Sequence, residues 1–317
     1  MNEPNLLGEF LRARRELARP ADAGVIDDGR RRVRGLRREE MAMLAGVSTD
    51  YYNRLEQGRD RHPSPEVVTA LARVFGLDDD SLAHLRDLAD PRRPRRRPAR
   101  KPERISPGTL QVLQLLSGSP ALVQTRFRDV LACTTLAAAL HPGLLREPNM
   151  LRLLFLNPAQ KDFYPDWERV ARESVAWLRA AAGDDLRHPR LTCLVGELSL
   201  NSEDFGRFWN RHDVRMKSSG TWRGMHPIVG GLTVGYETFA VNASPGQFLT
   251  VCHAVPGSRD ADALALLASH AATTPVGQKP GQAGVVVFDQ PPAGGLHASR
   301  SPTLIGEHGP TARPSLA

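Results

Sequence analysis

Cysteine is scarce in this chain. Its three residues, Cys133, Cys193 and Cys252, lie far apart and form no Cys-x-x-Cys pair. An odd, scattered set argues against a disulfide framework or a cysteine-built zinc site, and fits reduced thiols in a cytosolic protein. No apolar run approaches the roughly 18 residues that a membrane span needs. Residues 1–10 lack a basic stretch followed by an apolar one, so no signal peptide is expected. Catalytic signatures are missing too: there is no Gly-x-Ser-x-Gly, no Walker A loop, no His-Glu-x-x-His, and no Gly-x-Gly-x-x-Gly after a strand. His141, His188, His212, His226 and His253 are scattered, with none paired at metal-ligand spacing. The expectation is therefore a cytoplasmic protein that is not an enzyme, with no cofactor, no metal and no membrane partner.

What is present is length and positive charge. The 317 residues suffice for two domains of ordinary size. The formal net charge is +7, and its placement matters more than its total: residues 1–104 hold 23 Lys and Arg against 18 Asp and Glu, while the remainder holds 19 against 17. A basic excess in the first third suits a polyanionic partner there. Residues 91–104 read PRRPRRRPARKPER, where dense proline forbids a regular helix and like charges repel, giving an extended linker. Such a linker either adds phosphate affinity or is only a solvated spacer. Residues 271–317, rich in Gly, Pro, Ala, Ser and Thr, read as a disordered tail with one apolar run, VVVF at 285–288.

Residues 1–90 carry the sharper signal. A first helix is expected from Leu6 to Leu17. A second begins near Leu36 with RREEMAMLAG, where Gly46 supplies a turn, and TDYYNRLEQG follows with Ser48 or Thr49 as its cap. Ala42, four residues before Gly46, is small enough for the two helices to cross closely. Val47, Tyr52 and Leu55 then face inward, leaving Ser48, Thr49, Asp50, Asn53, Arg54 and Gln57 outward. Asn, Arg and Gln are the side chains that can grip base edges bidentately, while Ser and Thr serve phosphates or bases. Ser64–Pro65 and Leu77–Asp80 open two further helices. A plain helical bundle with a polar face is the competing reading, which five short helices in this order make the weaker one.

The run from RRVRGLRREE through LAGVSTDYYNRLEQGR to SPEVVTALA closely resembles the XRE-type, lambda-repressor-like helix-turn-helix domain of MmyB-type actinobacterial regulators. The resemblance implies that the helix containing Asn53 and Arg54 is the recognition helix, and it puts Arg37 and Arg38 at the DNA backbone. Glu56 and Arg59 have a simpler alternative role as a fold-buttressing ion pair.

Residues 105–270 mix helical stretches (LRLLF at 151–155, WERVARESVAWLRAAAG at 167–183, ADALALLASH at 261–270) with alternating strands at 232–241 and 247–255, joined by a turn at 242–246. Glu168, Glu173, Asp184 and Asp185 read as solvated helix faces. The segments LNPAQKDFYPDWERVARESVAWLRAAAG, LVGELS, RFWNRHDVR and HPIVGGLTVGYETFAV resemble the ligand-binding domain of the same regulators. The fold class implied is an all-α reader followed by a PAS-like α+β domain, a small antiparallel sheet flanked by helices around a pocket for a fatty-acid-type ligand. Pro120–Ala132 matches the strand pair that opens such a domain. Two departures, Cys133-Thr134 after DVLA and Thr221–Pro227 before the second half, are expected to line or flank the pocket. An anionic amphiphile needs apolar walls and convergent donors. Phe155, Phe163, Trp167, Trp177, Phe208, Trp209, Trp222, Tyr236 and Phe239 are candidate walls, and Arg211, Arg215, Arg223 and His226 candidate donors; core packing and surface exposure are the alternatives. The partners expected are a double-stranded, palindromic operator, a fatty-acid-like small molecule and a second copy of the chain in a homodimer at the nucleoid. The alternative function is a DNA-binding regulator whose second domain only dimerises. A cavity closed by an arginine would favour sensing, and a solid core with an exposed apolar patch would favour dimerisation.

Overall fold

The computed structural model describes residues 5–25, 33–90, 103–183, 185–186, 188–273 and 284–288. The linker at 91–102 and most of the tail lie outside these.

The N-terminal region is helical: α1 Leu6–Leu17, α2 Arg38–Ala45, α3 Thr49–Gln57, α4 Pro65–Val74 and α5 Asp79–Ala89. Each boundary follows from local chemistry. Asn5, Ser48, Ser64 and Asp78 accept the backbone N–H three residues on, and Pro65 occupies the first turn of α4, where it costs no hydrogen bond. Helix α2 begins two residues later than its pattern suggests, because Leu36 is fully buried ahead of it and Arg37 is extended at the cap. Gly46 ends α2 at φ 69°, a conformation that favours a residue without Cβ. Leu7, Phe10, Leu11, Met41, Tyr52, Leu55, Leu71 and Leu85 form the core, and Ala42 is buried where α2 crosses α3.

The second region begins with α6 Pro107–Leu115 and the hairpin β1 Ala121–Thr125 and β2 Val130–Thr134. Helices α7 Thr135–Leu140, α8 Met150–Leu156, α9 Ala159–Phe163, α10 Trp167–Ala182, α11 Pro189–Asn201 and α12 Glu203–Trp209 follow. Strands β3 Ser219–His226, β4 Gly230–Ala240 and β5 Gln247–His253, helix α13 Arg259–Thr273 and strand β6 Val285–Val287 complete it. The strands form one antiparallel sheet in the order β3-β4-β5-β1-β2-β6. Strands β1 and β2 are buried along their whole length because both faces are covered. Helix α6 packs Leu113 over Val123 and Leu131, while α7 and α8 pack Ala137 and Leu153 over Leu122 and Val130 on the other side. A larger cluster lies between α8–α12 and the β3–β5 end of the sheet.

One correction concerns the tail. The run at 285–288 is not a disordered island: Val285–Val287 pairs with Thr134–Ala132 as an edge strand and buries Val285 against Leu131 and Ala132. Its β-branched composition suits a strand, which the surrounding Gly, Pro and Ala obscured.

Candidate nucleic-acid interface and ligand pocket

Helix α3 presents the outward residues as expected. Tyr52 and Leu55 are completely buried, whereas Ser48, Asp50 and Gln57 are exposed and Thr49, Asn53 and Arg54 half-buried. These six are not equally available. Ser48 spends its hydroxyl on the Tyr51 N–H at 3.1 Å. Arg54 is held by its own neighbours: Nε donates to Asp60 at 2.9 Å, Nη1 to Asp50, and its plane lies 5.6 Å from the Tyr51 ring. Among the described residues, the side chains of Thr49, Asn53 and Gln57 carry no such partner, which leaves them open to base edges. Arg37 is exposed; its backbone N–H donates to Glu40 at 2.7 Å and its carbonyl accepts from the Met41 N–H at 2.9 Å. Arg38 donates to Glu56 at 2.8 Å.

Glu56 is the structural hub beneath this face. Its side chain is 1% exposed and accepts from Arg15 Nε at 2.6 Å as well as from Arg38. Burial alone would raise its carboxyl, but these hydrogen bonds outweigh that and hold it below its ordinary range. The buttress suggested by the sequence thus exists with different partners: Arg59 is exposed, and Arg15, a full helix away in α1, takes its place. Asn5 adds a bond to the Glu56 carbonyl at 2.6 Å, and the approach of α1 is so close that a Cβ at Gly8 would sit 2.2 Å from that carbonyl.

The second site is a half-open cavity of about 140 Å³ between β1, β3, β4 and β5 on one side and α8 and α10 on the other. Leu122, Leu153, Leu154, Tyr164, Trp177, Trp222 and Cys252 supply apolar wall, and Arg169, Glu173, Arg215 and Lys217 a polar rim. On that rim Glu173 accepts from Lys217 at 2.8 Å and Arg169 at 3.4 Å, so it is part of a site rather than a solvated face. Asp185 is likewise engaged, by Arg126 at 2.8 Å, while Asp184 lies outside the described residues. Opposite Tyr236 stands Gly220, where a Cβ would meet the phenol oxygen at 2.9 Å, so only glycine lets that ring fold over.

Three expected ligand donors are elsewhere. Arg211 pairs with Asp213, and Arg223 points outward to Asp166, each at 2.9 Å. His226 is buried with both ring nitrogens used, at 2.9 Å from the Ala139 carbonyl and 3.2 Å from the Ile228 N–H. Of the expected walls, Trp177, Trp222 and Tyr236 line the cavity. Phe163, Trp167 and Phe208 are core, Phe155 and Trp209 pack against that core, and Phe239 is 54% exposed. Of the two departures, Thr221 and Trp222 line it. Cys133 does not: it packs beneath the sheet, its thiol pushed up to about 12 by burial. Thr134 caps α7 and donates to the Ser119 carbonyl.

The residue that sequence reading passed over is Arg128. It sits in the β1–β2 turn with φ 67°, a left-handed conformation costing on the order of 1–3 kcal/mol for a residue with a Cβ. The turn enforces it: Thr125 accepts the Arg128 N–H at its carbonyl and the Phe127 and Asp129 N–H groups at its hydroxyl, while Met150 donates to the Arg128 carbonyl at 3.0 Å. The guanidinium lines the cavity, 4.4 Å from the Trp177 ring, and its buried Nε has no hydrogen-bond partner among the described residues. Burial lowers its pKa to about 10, so it remains a cation at neutral pH.

Residues 105–267 match the family described as the MmyB-like transcription regulator ligand binding domain, and residues 6–85 match a helix-turn-helix domain. The chain belongs to the MmyB-like transcription regulators. No curated protein is similar enough to the chain to be matched. This MmyB-like regulator is accordingly a DNA-binding transcription regulator with a C-terminal ligand-binding domain, and both matched regions are regulator domains. Among the described residues no helix is long and apolar enough to cross a membrane, and no group of His, Cys, Asp or Glu is placed to hold a metal ion.

Among the described residues, the reader and the ligand-binding domain meet at segment 212–216 and at α10, whose Ala180 packs against the reader's core. Val214 is buried in the core of the reader; its carbonyl accepts from Ser81 at 3.1 Å, Asp213 pairs with Arg14 at 2.9 Å, and the Met216 N–H donates to Asp80 at 2.9 Å. Around this seam His84 and His212 are kept neutral, first by burial and then by the Arg179 guanidinium, with pKa values lowered to about 4 and about 3. Arg215 and Lys217, in and beside this segment, are on the rim of the cavity.

Proposed function

We propose that this chain is a ligand-controlled regulator working in the cytoplasm, at the nucleoid, as a homodimer on a palindromic operator. Its domains are divided as residues 1–90 (reader), 91–104 (linker) and 105–270 (sensor). Helix α3 enters the major groove; Asn53 and Gln57, with Thr49, read bases, and Arg37 holds a phosphate. Ser48 and Asp50 sit at the groove edge, while Arg38 and Arg54 reach DNA by exchanging a carboxylate for a phosphate or a base.

The observation that carries ligand control is the shared segment. A small amphiphilic molecule against Trp222 and Tyr236 meets a rim formed by Arg215 and Lys217, and the residues just before them are plugged into the reader at Val214. A ligand shifts DNA affinity only if it binds the DNA-competent and incompetent arrangements unequally, and a segment belonging to both sites supplies that inequality. The cavity, with its arginine, favours this reading over a second domain that only dimerises.

Selection from a random pool of duplex DNA by the full-length chain tests the DNA half. Enrichment of an inverted repeat with half-sites about one helical turn apart is expected. A single unrepeated site would overturn the dimer, and no enriched sequence would overturn sequence-specific reading.

A further inference from the structure

Arg128 brings a half-buried guanidinium to the cavity without an acceptor for its buried Nε. A guanidinium carries five N–H donors, and buried arginines are ordinarily paired with carboxylates or carbonyls. The most deeply buried arginines of this chain each have such a partner, although the Nε atoms of Arg152 and Arg179 are unpaired like that of the half-buried Arg128. Arg15 has Glu56 and the Leu36 carbonyl, Arg152 has Glu197, and Arg179 has the Trp209 carbonyl. Arg128 has an aromatic face and no acceptor among the described residues. Among the described residues, the one carboxylate lining the cavity, Glu173, is already engaged by Lys217 and Arg169. The turn holds Arg128 in a strained backbone that aims it inward. Beside it on β1, the buried Gln124 side-chain oxygen also lacks a partner and also lines the cavity.

Resting on the reading of this cavity as a sensor site, we propose that Arg128 is the anion anchor and that the ligand is a compact organic carboxylate, aromatic or short-chain, rather than a long-chain fatty acid. The charge of the anchor calls for an anion, and a carboxylate fits the guanidinium fork bidentately. The apolar walls formed by Leu153, Trp177 and Trp222 call for an organic body rather than a bare inorganic ion. Size points the same way: about 140 Å³ is the scale of a cavity that takes one benzene-sized body, below the roughly 300 Å³ where pockets for larger ligands begin, so a long chain would have to extend past the open rim.

The test is calorimetric titration of the full-length chain with three probes, benzoate, its neutral amide benzamide, and myristate, in wild type and in Arg128→Met. Expected are binding of benzoate at least tenfold tighter than benzamide, weaker or no binding of myristate, and loss of the benzoate preference in Arg128→Met. That variant should also melt at a higher temperature without ligand, since it replaces a desolvated charge by an apolar chain of similar length; this readout does not depend on choosing the right probe. Equal binding of benzoate and benzamide, binding of myristate tighter than benzoate, no binding of any probe, an unchanged preference in the variant, or a lower melting temperature would each overturn the proposal. DNA affinity separates this from the reading it rests on. Benzoate bound through Arg128 without effect on operator affinity would leave the anchor standing and remove control. A neutral probe that changes operator affinity independently of Arg128 would do the reverse.

Discussion

Arg15 is buried and Arg128 half-buried at a cavity, and they do opposite things. In the DNA reader, Arg15 is matched by a buried carboxylate that also collects Arg38, so three charges from α1, α2 and α3 lock the helices into one arrangement. In the sensor, Arg128 is matched by an aromatic ring alone. Desolvating a charge is repaid only by a partner of good geometry; where the partner is built in, the charge is architecture, and where it is missing, the charge is a demand on something from outside. The same contrast runs through the domains: a reader whose buried charges are paired, with the Tyr52 hydroxyl left over, and a sensor that keeps the donors and acceptors of Arg128 and Gln124 in reserve at its cavity.

The largest expected effect breaks the satisfied side. Glu56→Gln leaves Arg15 buried without its counter-charge and should cost about 3–5 kcal/mol in a urea titration; a loss under about 1 kcal/mol would show that Arg15 finds water instead. Acidification comes next. His84 and His212 stay neutral in the folded chain down to about pH 4 and about pH 3, because burial and Arg179, with Arg14 also bearing on His212, oppose a second positive charge; Asp213 offsets this only in part. Unfolded, both protonate near pH 6.5. Their stabilisation is complete above about 6.5 and is lost as pH falls toward 4, at up to about 1.4 kcal/mol per pH unit for each group. Melting temperature should therefore be flat between pH 7 and 8 and fall steadily from 6.5 to 5, and a flat profile across that range would mean the seam opens to water. At the DNA face, Asn53→Ala should cost about 1–3 kcal/mol at one operator position, whereas Arg37→Ala should weaken all sequences alike and lower the salt slope by about one. Binding measured across a set of single-base operator variants and salt concentrations distinguishes the two. The smallest effect is on the unsatisfied side: Arg128→Met should stabilise the ligand-free chain by about 1–2 kcal/mol, and a destabilisation would make Arg128 a structural residue like Arg15.

Much of the reader was legible in the sequence because its signals are local. Ser48, Gly46, Ser64 and Pro65 mark helix ends within a few residues of themselves, and the inward placing of Tyr52 and Leu55 follows from helical spacing alone. The partner of Glu56 was not legible: Arg15 is forty-one residues away, and only the packing of α1 on α3 brings it in. In the sensor, the strands at 232–241 and 247–255 and the turn between them could be read from alternation, and Trp222 and Tyr236 from their apolar size; β3 and the short edge strand β6 could not. The donors could not. Arg211, Arg223 and His226 cluster in sequence, but the pleat of β3 and the helix end before it send them to Asp213, Asp166 and the Ala139 carbonyl. Arg128 sits among charged residues, Arg126 and Asp129, that give no hint of its direction; a strained turn decides it.

The central claim is that the cavity and the DNA face are coupled through residues 212–217. The most direct measurement is the fluorescence anisotropy of a selected operator duplex titrated with the full-length chain, with and without saturating benzoate whose binding has been verified by calorimetry. The account predicts a change in operator affinity of roughly five- to 150-fold, the usual span of such coupling. An operator affinity that does not move while the cavity is demonstrably filled would contradict it.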